Sequence, residues 1–340
     1  MAGMGWDLIG HSWAADMLRQ HIAADRLRHA YLFSGPQGVG RRSLALNFAQ
    51  AINCPTPSAP GVPCGACRVC EQTARMQQAD LTVIQSEAEG ESLKVDQVRD
   101  LQHSLSLAPY ESAYRIALLL RFNEATDGAQ NALLKTLEEP NARVILLVTA
   151  DEPENLLPTI SSRCELLRLR TLPLSALAQA LTAKKALDAE KAKLIAHISG
   201  GRPGYALRLA EDESLLAARQ EWLADLLALA GAAKRERLAY SDSKTRGRER
   251  AETKKNLRDG MAHWLAFWRD VLLEASGSGA ALSNPDLADQ VAAMAVRVDE
   301  KTSARIVAAL EHAFARLPNA NLQLMLDALL LDWPVVHLNV

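Results

Sequence analysis

Apolar positions along the chain follow two rhythms, and the change from one to the other divides it. Short, nearly continuous apolar runs at 31–34, 81–85, 115–120, 144–149 and 165–169 have the length and β-branched content of buried strands. Between them, apolar residues recur at helical spacing over 13–24, 42–51, 95–107 and 128–139. The last of these stops at Pro140, which has no N–H to continue a helix. Alternating runs and helices predict an α/β domain over residues 1–172, a parallel sheet with flanking helices. After Leu172-Pro173 the strand-like runs cease. Helical spacing at 175–184 and 189–199, the breaker Gly200-Gly201-Arg202-Pro203-Gly204 and a further helix at 205–210 predict a small helical module over 173–212. Helical periods at 215–230, 257–274, 287–298, 303–316 and 322–331 predict a separate all-α domain over 213–340.

Composition narrows the class without naming a function. With 340 residues, 49% hydrophobic, 23% charged and a net charge of −2, the chain has the apolar content for more than one core and is not a disordered or fibrous sequence. No stretch of eighteen apolar residues occurs, and MAGMGWDLIGHSW has neither a basic n-region nor an apolar h-region, so the expected location is cytoplasmic, with no membrane partner. So small a net charge supplies no long-range attraction for nucleic acid. The local exception is 234–258, with ten Lys or Arg against four Asp or Glu. It reads as a solvated helix face or loop, with a phosphate-backbone contact as the sharper alternative.

Candidate chemistry begins directly after the first strand. Gly35-Pro36-Gln37-Gly38-Val39-Gly40-Arg41-Arg42 has the strand, glycine loop and helix context of a phosphate-binding P-loop, with Gly35, Gly38, Gly40 and Arg41 as the candidate nucleotide-binding residues. A working loop follows its last glycine with Lys, for the phosphates, and Ser or Thr, for Mg²⁺. Here those places hold Arg41, which keeps the charge on a bulkier planar group, and Arg42, which offers a metal no oxygen. Ser43 lies about 100° further around the helix. The strand at 115–120 also runs into Arg121-Phe122-Asn123-Glu124 with no acid at its tip. Two independent parts of an ATP site are missing, so the expectation is a nucleotide-binding fold kept as architecture.

Four of the five cysteines fall in Cys54-x9-Cys64-x2-Cys67-x2-Cys70. Two successive C-x2-C spacings and a returning loop suit one tetrahedral, structural zinc per chain, with Cys54, Cys64, Cys67 and Cys70 as ligands. Disulfides are the alternative, disfavoured by the expected compartment and by strain at these spacings. Arg68 is the only charge between Cys54 and Cys70, too little for a phosphate-binding knuckle. Further on, Ser162-Arg163-Cys164 precedes the last strand. Alone, Arg163 reads as a surface or salt-bridged arginine. In assemblies whose ATP sites lie between subunits, an arginine supplied by one chain can act on its neighbour's γ-phosphate.

HAYLFSGPQGVG at 29–40, the four-cysteine insertion, NALLKTLEEP at 131–140 and SSRC at 161–164 together resemble the delta-prime branch of the bacterial DNA polymerase III clamp loaders, within the AAA+ superfamily. The resemblance extends over essentially the whole chain; NALLKTLEEP is shared with the ATP-hydrolysing subunits, which the missing lysine and strand-end acid set apart. It implies an AAA+ P-loop domain with a zinc-binding insertion, a helical lid at 173–212 and a helical collar at 213–340. It implies a ring with gamma/tau ATPase subunits and a delta subunit that acts on the sliding clamp and primer-template DNA. Arg163, flanked by Ser162 and Cys164, then matches the family's arginine finger, Thr149 its first sensor position, and Gly204 stands where an ATPase carries a second-sensor arginine. On this reading the chain hydrolyses no ATP, its own site is empty, and the partner subunit holds the nucleotide. An autonomous AAA+ ATPase, which would turn over ATP with magnesium, and a zinc-dependent nucleic-acid binder, which would bind without partners, are the alternatives.

Overall fold

The computed structural model describes residues 6, 8–87, 91–247 and 249–337. By internal packing the chain divides into two units, 1–173 with 201–205, and 174–200 with 206–340.

The first unit carries five strands, β1 (Ala30–Ser34), β2 (Leu81–Ile84), β3 (Arg115–Leu119), β4 (Val144–Ala150) and β5 (Glu165–Arg168). They form one parallel sheet in the order β2-β3-β4-β1-β5. Leu32 lies opposite Val148 on one side and Leu166 on the other, which fixes the register of β1 against both neighbours. Every residue of β1 and β4 is buried. Both faces are covered, so an alternating pattern would have left polar groups in a core. Tyr31, Phe33, Leu118 and Leu147 pack with Leu18 of α1 (Ser12–Ala23) and Leu44 and Phe48 of α2 (Arg41–Asn53). The intervening residues Leu32, Leu119, Leu146 and Val148 pack with Val98 and Leu101 of α4 (Val95–Leu105) and Leu133 and Leu137 of α5 (Asp127–Glu138). Thr126 caps α5 by accepting from the Ala129 N–H. Two short helices, α3 (Arg68–Ala74) and α6 (Pro158–Ser161), complete this unit. The sequence pattern gives no sign of α3, whose cap is the Cys67 sulfur accepting from the Cys70 N–H.

The regular elements described in the second unit are all helices: α7 (Leu174–Lys185), α8 (Ala189–Ile198), α9 (Pro203–Glu211), α10 (Glu213–Gly231), α11 (Lys234–Thr245), α12 (Arg250–Ala275), α13 (Ala288–Ala295), α14 (Glu300–Arg316) and α15 (Leu322–Leu331). The first turn of α9, 203–205, belongs to the first unit. Asp188, Asp212, Asp299 and Asn321 each cap the helix that follows. A cluster of indoles fills the core, with the Trp264 ring edge-on to Trp222 at 5.3 Å and to Trp333 at 5.1 Å. Gly260 makes room for it, since a Cβ there would stand 2.2 Å from the Trp222 ring.

Two helices exceed their sequence pattern. α11 shows no apolar period, and α12 starts at Arg250 although apolar spacing begins only at 257. The residues these turns bury are Arg237, Ser241 and Thr253. Polar groups satisfied internally leave no hydrophobic trace.

Candidate functional site

β1 delivers the chain into the glycine loop, and each glycine there has a reason. Gly35, Gly38 and Gly40 hold φ of 142°, 80° and 113°, a region L side chains avoid. A Cβ on Gly35 would stand 2.3 Å from the Leu169 carbonyl oxygen, and one on Gly38 3.0 Å from Tyr205 Cβ. The Gly38 carbonyl accepts from the Gly204 N–H at 2.7 Å and from that of Tyr205 at 3.3 Å, so the first turn of α9 is fastened to the loop by main-chain bonds. The His11 ring lies 2.9 Å from the Val39 carbonyl oxygen. Burial holds His11 below the ordinary histidine range against the opposing pull of that carbonyl, which keeps it neutral near pH 7. Arg41 opens α2, is 8% exposed, and brings Nη1 within 2.6 Å of Asp151 Oδ1. Its charge is directed at a carboxylate of the same chain. Arg42 and Ser43 both face solvent.

The end of β3 is closed in a comparable way. Arg121 adopts a left-handed conformation, φ 50°, and its N–H donates to Thr149 Oγ1 at 2.9 Å. The Thr149 hydroxyl itself donates to the Leu119 carbonyl at 3.3 Å. Thr149 therefore ties β4 to the end of β3. Arg121 Nε lies 3.0 Å from Glu124 Oε2 and Nη2 donates to Ser86 Oγ at 2.9 Å, while the Ser86 hydroxyl donates to the Glu124 carboxylate. Glu124 sits in a single 3₁₀ turn after β3, off the strand tip as the sequence predicts. Glu124 and Asp151 thus each face a guanidinium, an arrangement that opposes their use as ligands for Mg²⁺.

Arg163 follows α6 and keeps 37% of its side chain exposed. Nη1 donates to the Thr159 carbonyl at 3.0 Å, and Nη2 lies 2.9 Å from Glu138 Oε1. Ser162 Oγ donates to that same Thr159 carbonyl at 3.2 Å. Cys164 packs against the α4–α5 core, and burial pushes its thiol up to about 12, leaving it a protonated, unreactive group. Glu138, the partner of Arg163, is absent from the sequence-derived candidates; it lies inside NALLKTLEEP, but nothing in one sequence pairs it with a residue 25 positions away.

The cysteine insertion brings four sulfurs within 4.8 Å of one another. Cys54 and Cys64 Sγ are 3.6 Å apart and Cys64 and Cys70 Sγ 4.0 Å, close to the roughly 3.8 Å edge of a tetrahedron with 2.3 Å metal–sulfur bonds. The N–H groups of Cys64, Cys67 and Cys70 point at the sulfurs of Cys54, Cys64 and Cys67 at 3.3–3.4 Å, which stabilises thiolate charge. The Thr56 hydroxyl, then the Ala66 and Cys67 N–H groups, bring the Cys64 thiol down to about 6, whereas burial pushes Cys67 and Cys70 up. A divalent cation would offset four converging thiolates and leave no open coordination position. The module is tied to its surroundings: Trp6 Nε1 donates to the Gly61 carbonyl at 2.9 Å and Gln50 Nε2 of α2 to that of Cys70 at 2.7 Å, while Asn53 Nδ2 holds the end of α2 to the Tyr114 carbonyl at 2.8 Å, just ahead of β3.

Much of the basic segment 234–258 is spent within the fold. Arg237 is 1% exposed, Lys244 pairs with Asp225 and lies 4.7 Å over the Trp222 ring, Arg246 pairs with Asp242, and Arg250 donates to the Ala320 carbonyl. This favours the solvated-face reading over a phosphate contact. Arg248 lies outside the described residues.

Residues 10–173 match the protein family described as DNA polymerase III, delta subunit. The chain is 37% identical over 185 residues to the DNA polymerase III subunit delta' of Pseudomonas aeruginosa, covering 53% of this chain and 55% of that protein. The matched part of the chain is therefore similar to delta-prime-type subunits of clamp loaders. The delta' subunit of Bacillus subtilis is 33% identical over 183 residues, 54% of each chain, and subunit tau of Escherichia coli 34% over 166, 49% of this chain and 25% of that one. The chain thus spans about half the length of the delta' relatives it matches. A gamma subunit-related protein of DNA polymerase III from Thermotoga maritima superimposes on 93% of this chain and 97% of its own with a TM-score of 0.51 at 16% identity, a likeness of fold. The parallel sheet, its flanking helices and the helical C-terminal region share the fold of that protein. No helix among the described residues is long and apolar enough to cross a membrane.

Proposed function

We propose that this chain is the non-hydrolysing delta-prime-type subunit of a DNA polymerase III clamp loader, contributing Arg163 to the ATP site of a neighbouring subunit. One observation carries the reading. Arg41 and Arg121 are turned inward onto Asp151 and Glu124 with 8% and 27% of their side chains exposed, while Arg163, although paired with Glu138, keeps 37% of its side chain exposed. A self-neutralised phosphate loop has little left to attract a triphosphate and Mg²⁺, whereas an exposed arginine can stabilise phosphoryl charge across an interface.

On this reading residues 1–172 form the ring's nucleotide-type domain, 173–212 its lid and 213–340 its collar. The partners are gamma/tau ATPase subunits and a delta subunit, and the assembly loads the sliding clamp onto primer-template DNA in the cytoplasm. Support for a packed collar comes from α15, where Leu324, Ala328 and Leu331 are exposed at helical spacing, and from Val335, exposed in the segment after it. Cys54, Cys64, Cys67 and Cys70 hold one structural zinc, which cross-links the insertion and takes no part in chemistry.

The deciding experiment assembles the chain with the ATPase subunits and measures phosphate release with and without Arg163→Ala. Turnover should fall by on the order of 10³-fold at the affected site, with assembly intact by sedimentation. Unchanged turnover removes the finger role. Magnesium-dependent hydrolysis by the isolated chain would remove the non-hydrolysing role, and metal analysis finding about one zinc per chain checks the Cys₄ site.

A further inference from the structure

We infer that Glu138 is a positioning residue for Arg163, holding the guanidinium in its outward pose before a neighbour's nucleotide arrives; this rests on the finger reading above. Glu138 is the last residue of α5, where the helix dipole disfavours a carboxylate. It is followed by a second acid, Glu139. Helix stability therefore gives no reason for acid here. The ion pair gives one: Glu138 Oε1 is 2.9 Å from Arg163 Nη2.

The second hold on the guanidinium is the Thr159 carbonyl, which accepts from Nη1 at 3.0 Å. Two anchors on separate elements, the end of α5 and the turn of α6, fix both terminal nitrogens of a side chain that otherwise samples many rotamers. An untethered arginine would lose up to about 2 kcal/mol of rotamer freedom on engaging a phosphate. A tethered one has already lost part of it, and preorganised donors act without reorganisation at the moment of reaction. A guanidinium carries five N–H donors, so those not facing Glu138 or Thr159 stay available to an incoming anion. Glu138 is itself half-exposed, with 51% of its side chain accessible, so replacing it leaves the α5 core contacts of Leu133 and Leu137 in place.

The test is a double-mutant cycle in the assembled complex, with Glu138→Ala, Glu138→Gln and Arg163→Ala, reading kcat and KM for ATP. Glu138→Ala should lower kcat about two- to five-fold, the range for an exposed ion pair, with KM for ATP unchanged. Glu138→Gln, which keeps an oxygen acceptor without the charge, should recover part of the loss. In the Arg163→Ala background the Glu138 substitution should have no effect. If Arg163→Ala is silent, the finger reading fails and this inference with it. If Arg163→Ala acts while Glu138→Ala is silent, or acts equally in both backgrounds, only the positioning role fails. A second readout needs no partner: in the isolated chain, ¹⁵N relaxation at Arg163 Nε should show a restricted side chain that becomes mobile in Glu138→Ala. Equal mobility in both overturns the inference.

Discussion

Replacing Arg237 by Met should unfold the helical unit at markedly lower denaturant, although the substitution removes a basic residue from a segment rich in Lys and Arg. Arg237 uses all its donor nitrogens on carbonyls: Nε on Leu229, Nη1 on Leu330 and Trp333, and Nη2 on Ala230 and Pro334, at 2.7–3.0 Å. Leu229, Ala230 and Leu330 lie in the last turns of α10 and α15, where carbonyls have no intrahelical partner and the helix dipoles are negative. The buried cation is thus balanced by two helix termini, with no carboxylate paired to it among the described residues. Burial draws its pKa below the ordinary arginine value. Three of the five carbonyls also accept a backbone N–H, from Ala232, Val336 and Trp333, so those of Trp333 and Pro334 lose most. An unsatisfied buried acceptor costs about 1–3 kcal/mol. Two of them set the loss near 3 kcal/mol, because Met refills the stem's volume while the relieved desolvation of the cation offsets part of the weakened remainder. Urea unfolding followed by tryptophan fluorescence reads this unit directly, since Trp222, Trp264, Trp268 and Trp333 all lie in it. With a slope of about 2 kcal/mol/M the midpoint should drop by roughly 1.5 M. An unchanged or raised midpoint would refute the reasoning, and would mean that the desolvation of the cation outweighs its five bonds.

Asp80 supplies a pH test. It is fully buried, which pushes its carboxyl up, but the N–H groups of Tyr110, Glu111 and Ser112 outweigh that and leave it below the usual carboxylate value. A folded pKa below the unfolded one gives stability that is present above about pH 4 and lost as pH falls through the folded value. Wild type and Asp80→Asn should therefore differ in Tm at pH 7 and converge in acid; a gap that is constant with pH excludes this linkage. Restoring the phosphate-loop signature with Arg41→Lys and Arg42→Thr should not give the isolated chain magnesium-dependent phosphate release, because Arg121 and Glu124 still close the end of β3. Measurable turnover would show that the strand end is no obstacle. Gly260→Ala should destabilise the helical unit by about 1–3 kcal/mol, read as a lower Tm, since its Cβ would overlap the Trp222 ring. An unchanged Tm would mean that the ring shifts freely.

Legibility in the sequence tracked burial of apolar groups. The strands and main helices of the first unit were read to within a residue or two, because continuous apolar runs and 3.6-residue spacing are direct consequences of which faces are covered. The cysteine cluster was readable because two short spacings leave the sulfurs few ways to avoid one another. The missing lysine and acid were readable as residue identities. What took their place was not: Arg41 on Asp151 and Arg121 on Glu124 and Ser86 depend on side-chain directions at the ends of β2, β3 and β4 and at the start of α2. α11 was missed because its inward residues, Arg237 and Ser241, are polar.

By itself the sequence determined the order of strands and helices, the replacement of the phosphate-loop lysine and hydroxyl by Arg41 and Arg42, and the four-cysteine set, since each follows from local composition or spacing. The tertiary structure alone decided where the charges go. It turned Arg41 inward, sank Arg237 between two helix ends and set Glu138 beside Arg163. An ion pair or buried hydrogen bond joins groups distant in the chain at distances near 3 Å, and only the packing of whole elements brings such groups together.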